Sequence, residues 1–327
     1  MKDRIIYIDI AKTICIILVV FGHYIPNNSP EWWIMVHDII YSFHMPLFMF
    51  ASGFVYIATR KEQQSYLNFI VKKIRRLMVP YFVVSFLIIS IKLLTESHLY
   101  VENPKTIMSY IKMFYYPEAG YFLWFIWALW WMFIIVPLFK SKNKRLILFI
   151  TSIFFAYIPI NVTDILCIAQ FKRMFMYFML GVVVFEWRNL FSYCRRIPTF
   201  GYLSLFTFSF ILNKLKGNLY NIDTFTALTG IASVILLSRY IDKKNWNTKW
   251  ILTISQSSFI IYLFHTTFQG FAKAVIFKIP YLNNINNDIR FTIGAIIVIT
   301  SGIVIPILLN EFILKKYKIT RILFGLK

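Results

Sequence analysis

Apolar runs of about 20 residues recur along this chain, separated by short stretches in which basic and turn-forming residues gather. A run of that length crosses a bilayer as an α-helix. The pattern predicts ten such spans, at 5–24, 34–58, 77–95, 121–139, 146–160, 171–187, 199–213, 223–240, 251–272 and 290–313. The expected fold class is therefore all-α: a polytopic membrane helical bundle of about ten transmembrane helices. No hydrophilic block is long enough for a separate soluble domain, so residues 1–327 read as a single membrane-embedded domain. The segments 146–160 and 199–213 are short, and tilted or partly re-entrant paths are expected for them.

Composition agrees with that reading. The chain is 59% hydrophobic with mean hydropathy +0.65, and only 15% of its residues are charged, against about a quarter in an ordinary soluble domain. The formal charge of +21 would suggest nucleic acid in a soluble protein, but here it serves orientation. With the N-terminus inside, the cytoplasmic segments hold 24 of the 35 Lys and Arg residues and the outer segments hold 7. That bias puts both termini in the cytoplasm and leaves no need for nucleic acid. Lys2 and Arg4 precede a first span interrupted by Asp9 and Lys12 with no small-residue cleavage site after it, so it reads as retained. Trp32, Trp33, Tyr115 and Tyr116 fit an outer aromatic belt, or a surface for stacking sugars; Trp187, Trp246 and Trp250 fit an inner belt. Cys15, Cys167 and Cys194 have no redox or metal spacing, and no His or carboxylate spacing suggests a metal site.

Polar residues inside the spans are the candidates for chemistry, because each needs a partner or a wet cavity at membrane depth. In the first span Asp9 and Lys12 are neighbours on one helix face and form a candidate ion pair. His23 follows Lys12 by eleven residues, so it shares that face, roughly 16 Å further along the axis. A satisfied ion pair with an interfacial histidine would look the same. The second span carries His37 and Asp38 at its outer rim and His44 roughly 10 Å deeper, where it can face His23. Ser52 and Gly53 are small enough for close helix packing. Lys72, Lys73, Arg75 and Arg76 stand just before the third span, where they satisfy the orientation bias or bind an anionic cofactor. His265 in the ninth span is a further cavity candidate, or a packed histidine partnered by Tyr262 one turn before it. His98, in an outer loop, has no assigned role. Gly294 and Gly302 are small residues suited to packing in the last span.

These motifs resemble the acyltransferase-3 family of integral-membrane O-acyltransferases, and especially its fucose 4-O-acetylase-like branch. The resemblance rests on DIAKTICIILVVFGH with Lys12 and His23, YSFHMPLFMFASGF from Tyr41, and Lys73 to Arg76 followed by Pro80-Tyr81. LWFIWAL from Leu123, YFMLG at Gly181 and SFIIYLFH ending at His265 extend it through the chain. Lys12 and Lys73 stand where many members have arginine. Lysine lacks the bidentate fork. The resemblance implies transfer of an acetyl group from cytoplasmic acetyl-CoA to a hydroxyl of a cell-surface carbohydrate, whether O-antigen, capsule or exopolysaccharide unit, at the inner (cytoplasmic) membrane. It implies His23 as general base, with Asp9 and Lys12 lining the donor channel or stabilising the thioester oxyanion. It also implies His44 orienting a substrate, and Lys72, Lys73, Arg75 and Arg76 holding the CoA phosphates. Expected partners are a carbohydrate or lipid-linked glycan acceptor and membrane lipids. The rival reading of a polar stripe through a bundle is a transporter or flippase for a lipid-linked sugar, although no internal repeat of the kind transporters carry is visible.

Overall fold

A computed structural model describes residues 5–26, 29–60, 64–96, 103–160, 162–190, 198–215, 220–244, 249–276 and 287–326. Lys2, Arg4, His98, Cys194 and Trp246 lie outside the described residues. The described chain is helical throughout, with no strand among those residues. α1 is Ile6–Gly22 and α2 is Glu31–Thr59. α3, Tyr66–Lys73, runs through one π turn at Ile74–Met78 directly into α4, Val79–Thr95. A short turn α5, Ser109–Lys112, precedes α6, Trp124–Ile135, and then come α7, Lys142–Tyr157, and α8, Ile168–Glu186. α9, Thr199–Leu215, α10, Tyr220–Lys243, and α11, Lys249–Ile276, follow. α12, Asn287–Leu309, ends in a second π turn at Asn310–Leu314, and α13 is Lys318–Leu323.

Each of the ten expected spans falls on one of these helices. Seven of the helices among the described residues are long and apolar enough to cross a membrane: Glu31–Thr59, Tyr66–Thr95, Tyr121–Leu138, Ile165–Glu186, Asp223–Lys243, Lys249–Ile276 and Asn287–Leu314. α1, α7 and α9 are also apolar, but they are only 16 or 17 residues long, a little short of the roughly 20 residues that match a 30 Å hydrocarbon core.

α2 is the central post, packed against α1, α8 and α10, while α11 packs on α1 and α12. The α2–α8 contact is the closest. A Cβ on Gly53 would fall onto the carbonyl of Phe178, and a Cβ on Gly181 onto the carbonyl of Phe50. Each helix thus offers a bare backbone to the other, as small residues do where helices pack without a hydrophobic driving force. Around this contact Tyr56, Phe133 and Phe178 meet ring to ring. Gly302 is pressed on Gln269 and Val20, and Gly294 on Tyr24, so both glycines serve packing within the chain. Trp33 is buried, donating to the Tyr24 carbonyl at 2.7 Å, whereas Trp32 is half exposed.

At the far end of α2, a buried ion pair joins α7 to α8. Arg145 Nε donates to both Glu186 oxygens at 3.0 Å, and its Nη1 donates to the Phe139 carbonyl at 2.8 Å. Neither charge is left without a partner at depth, as burial demands.

Candidate active site

The chain direction alternates through the bundle, and one end of it holds a cavity of about 1340 Å³. Its walls come from the C-terminal halves of α1, α4, α9 and α11 and the N-terminal halves of α2, α6, α8 and α10. Two histidines face it: His23, which caps the C-terminal end of α1, and His44 on α2. The sequence placed these two residues at similar depth from opposite helix directions, and they line one cavity. Pro46 gives this wall a second peculiarity. It has no N–H to offer the Ser42 carbonyl one turn earlier, and both residues border the same space.

The histidines share one hydrogen-bonding arrangement. Nδ1 of His23 lies 2.8 Å from the Val19 carbonyl oxygen, and Nδ1 of His44 lies 2.8 Å from that of Ile40. A carbonyl can only accept, so each Nδ1 carries the hydrogen and each neutral ring keeps its lone pair on Nε2. The helix backbone itself selects the tautomer. Tyr41 packs its ring 4.7 Å from His44 and 4.0 Å from His37, and Asp38 pairs with His37 at 3.5 Å and with Lys214.

His265 belongs to the same cluster, one layer behind. It is fully buried, donates from Nδ1 to the Tyr262 carbonyl at 2.8 Å, and sets its ring 4.8 Å from that of His23 at 83°. Its Nε2 has no hydrogen-bond partner among the described residues. Tyr262 is indeed its neighbour, but through the backbone, since the phenol is committed to the Phe122 carbonyl. The Phe122 ring meets both histidines edge-on, 6.1 Å from His23 and 5.2 Å from His265.

Asp9 and Lys12 are joined as expected, at 3.6 Å, but they do not line this cavity. Both are tied to α11: Ser255 Oγ donates to Asp9 Oδ1 at 2.8 Å, and Lys12 Nζ donates to Ser255 Oγ at 3.4 Å. Asp9 lies on the N-terminal side of Lys12, so the ammonium is drawn away from His23.

Lys72, Lys73, Arg75 and Arg76 are not at the cavity either. α4 contributes Ile88, Ile91, Lys92 and Thr95 to its wall. Ile88 is twelve residues beyond Arg76, roughly 18 Å along a helix. Lys73 lies over the Phe133 ring at 3.4 Å and is half buried against it, whereas Lys72 and Arg75 are exposed.

The cavity also has residues that the sequence did not single out for chemistry. Gln170, Tyr121, Trp124, Asn213, Thr266 and Gln269 give it a mixture of amide, hydroxyl and aromatic surface. Arg173 stands in its wall as an exposed cation. The available signal was a charge at the edge of an apolar segment. At the start of α8, Leu166 and Cys167 take left-handed φ values of 54° and 55°. The turn is held by the Leu166 N–H on the Tyr115 carbonyl at 2.7 Å and by the Trp131 indole on the Leu166 carbonyl at 3.0 Å.

A bundle of long apolar helices around a cavity bordered by two imidazoles defines the class: an integral-membrane protein with a large cavity of mixed polar and apolar lining. The particular family is then given by comparison. The acyltransferase-domain family model Acyl_transf_3 matches residues 5–311, so this chain belongs to that family and is a membrane acyltransferase. It is also similar to nodulation protein NolL of Sinorhizobium fredii, with 30% identity over 169 residues, which is 50% of this chain and 44% of NolL. The match therefore spans less than half of that relative's length. No solved structure matches this chain.

Proposed function

We propose that this chain is an O-acetyltransferase of the inner (cytoplasmic) membrane, crossing it ten times with both termini in the cytoplasm and forming one membrane-embedded domain. It takes the acetyl group of cytoplasmic acetyl-CoA and gives it to a hydroxyl of a cell-surface carbohydrate or its lipid-linked precursor. The observation that supports this most is the tautomer of His23. With its hydrogen held on Nδ1 by the Val19 carbonyl, it offers a neutral Nε2 base to a chamber large enough for sugar units. Amide and hydroxyl groups beside Trp124, Tyr121 and Phe122 suit a carbohydrate, whose hydroxyls bond and whose ring face stacks.

In this reading the acceptor hydroxyl oxygen attacks the thioester carbonyl carbon as its proton passes to His23 Nε2. The C–S bond then breaks, and the imidazolium returns the proton to the departing sulfur, giving the ester and the free thiol. His44, in the same tautomer across the chamber, orients the acceptor. Lys12 draws its charge towards Asp9 and Ser255 and away from His23, which favours a role along the donor's arm over one at the reacting carbonyl. Lys72 and Arg75, exposed before the N-terminal end of α4, and the half-buried Arg76 suit the nucleotide phosphates; Lys73 lies over the Phe133 ring.

Thiol release by purified protein given acetyl-CoA, with and without an envelope glycan, tests the reading. Release that needs both the glycan and His23 is the expected result. Folded wild-type protein that releases no thiol under any condition would sink it and leave transport of a lipid-linked sugar as the surviving account.

A further inference from the structure

The last helix does not end free of the bundle. α13 closes with a left-handed glycine cap: Gly325 has φ +65°, its N–H meets the Ile322 carbonyl at 3.3 Å, and the Leu326 N–H reaches back to the Arg321 carbonyl at 2.8 Å. This cap is docked. A Cβ on Gly325 would lie 2.8 Å from both the Cα and the carbonyl oxygen of Arg76. The tail therefore rests its bare backbone on the π turn that carries Arg75 and Arg76. On its other side the buried Phe324 sets its ring 5.5 Å from that of Phe264 on α11.

The junction concentrates charge. Arg321 lies four residues before Gly325 and Lys318 seven, about 6 and 10 Å along a helix axis, and Lys72 lies about 6 Å before Arg76. Lys318, Arg321, Lys72, Arg75 and Arg76 are thus five cations close in chain position to one backbone contact, beside Lys73, whose ammonium lies over the Phe133 ring. Glu311, the carboxylate nearest in sequence on the tail side, is already paired with Lys315. The orientation bias explains why cations are on this side of the bundle. It does not explain why a glycine in a left-handed conformation should latch a basic tail onto a basic turn. Single-turn π segments inside helices are frequent at functional sites, and this one carries two of the five cations.

We propose that α13 completes the donor site: Arg321 and Lys318 join Lys72, Arg75 and Arg76 in holding the phosphates of an acyl-CoA nucleotide, and Gly325 is the latch that brings them there. This rests on the acetyl-CoA reading above. The chemistry is recognition of a phosphate group, which an anionic lipid headgroup also presents, so the test separates the two sources.

The test uses the full chain in nanodiscs as wild type, Arg321→Gln, Lys318→Gln and Gly325→Ala. Binding of labelled acetyl-CoA is measured by equilibrium dialysis, and thiol release is followed with acetyl-CoA and with S-acetylpantetheine, a donor that lacks the nucleotide. Each variant is expected to weaken acetyl-CoA binding and raise its KM by about fivefold or more, with kcat held within about twofold. S-acetylpantetheine is expected to serve wild type and variants alike. Arg321→Gln and Lys318→Gln leave the glycine cap intact, so they carry the test even if Gly325→Ala folds poorly. Wild-type protein that binds acetyl-CoA, beside Gln variants that bind it equally well, overturns the proposal. An effect present only in discs containing phosphatidylglycerol, and absent in phosphatidylcholine alone, assigns the tail to lipid headgroups and overturns it too. Wild-type protein that does not bind acetyl-CoA removes the donor reading itself, and the tail's role with it.

Discussion

The imidazoles of His23 and His265 stand perpendicular, 4.8 Å apart, with Nε2 of the buried ring unbonded among the described residues. An unsatisfied buried acceptor costs about 1–3 kcal/mol, and on the proposed mechanism it sits beside the ring that takes up the proton. On the general-base proposal above, His265 acts as a positioning residue for His23. His265→Leu is expected to lower kcat about tenfold with little change in acetyl-CoA KM, and His265→Gln, which keeps an acceptor oxygen, to recover part of it. Equal losses in both variants would reduce His265 to packing.

His23→Ala is expected to lower turnover by about 10²–10⁴-fold, the range for loss of a positioned general base, without changing the melting temperature much. Wild-type turnover should rise with pH as His23 loses its proton, since only the neutral ring accepts one. The residual activity of the variant should lose that dependence. A pH–rate profile on both proteins checks this, and an unchanged profile in the variant would move the base elsewhere.

The glycine contact between α2 and α8 leaves no room for a side chain at either site. Gly53→Val and Gly181→Val should each cost more than the ~1–3 kcal/mol of ordinary overpacking, because backbone and not a flexible side chain stands in the way. Gly294→Ala, which meets only the Tyr24 hydroxyl, should be far milder. Detergent-solubilised melting curves of the three variants rank them.

Arg145→Ala leaves Glu186 as an uncompensated buried charge, at a cost of about 3–5 kcal/mol. The double replacement Arg145→Met, Glu186→Leu should regain most of that loss, because apolar residues of similar volume need no partner. A double variant no more stable than the single one would show that the Phe139 and Lys140 carbonyls, which also bond Arg145, carry the interaction.

Helix positions were legible in the sequence because hydrocarbon thickness dictates run length, and all ten expected segments are helical. That His23 and His44 border one cavity was legible too, since depth follows from residue count once helix direction is known. What could not be read is the order of helices around the bundle. The sequence made His265 a cavity candidate in the ninth span, but only the packing of α11 on α1 brings its ring against His23. Spacing likewise put Lys12 on the His23 face, but the direction of its ammonium depends on Ser255, some 240 residues away in the chain. The buried Arg145–Glu186 pair and the docking of Gly325 on Arg76 are equally long-range, and no local pattern announces them.

The basic turn at Arg75 and Arg76 stands before the N-terminal end of α4, whose C-terminal half walls the chamber at His23. On the proposed orientation, the compartment that holds the glycan need contain no activated metabolite, and the compartment that makes the thioester never meets the glycan. Only a two-carbon unit changes sides. Decoration of this kind can be applied to sugars that have already left the cell interior, and its extent would follow the cell's thioester pool and not the rate at which sugars are exported.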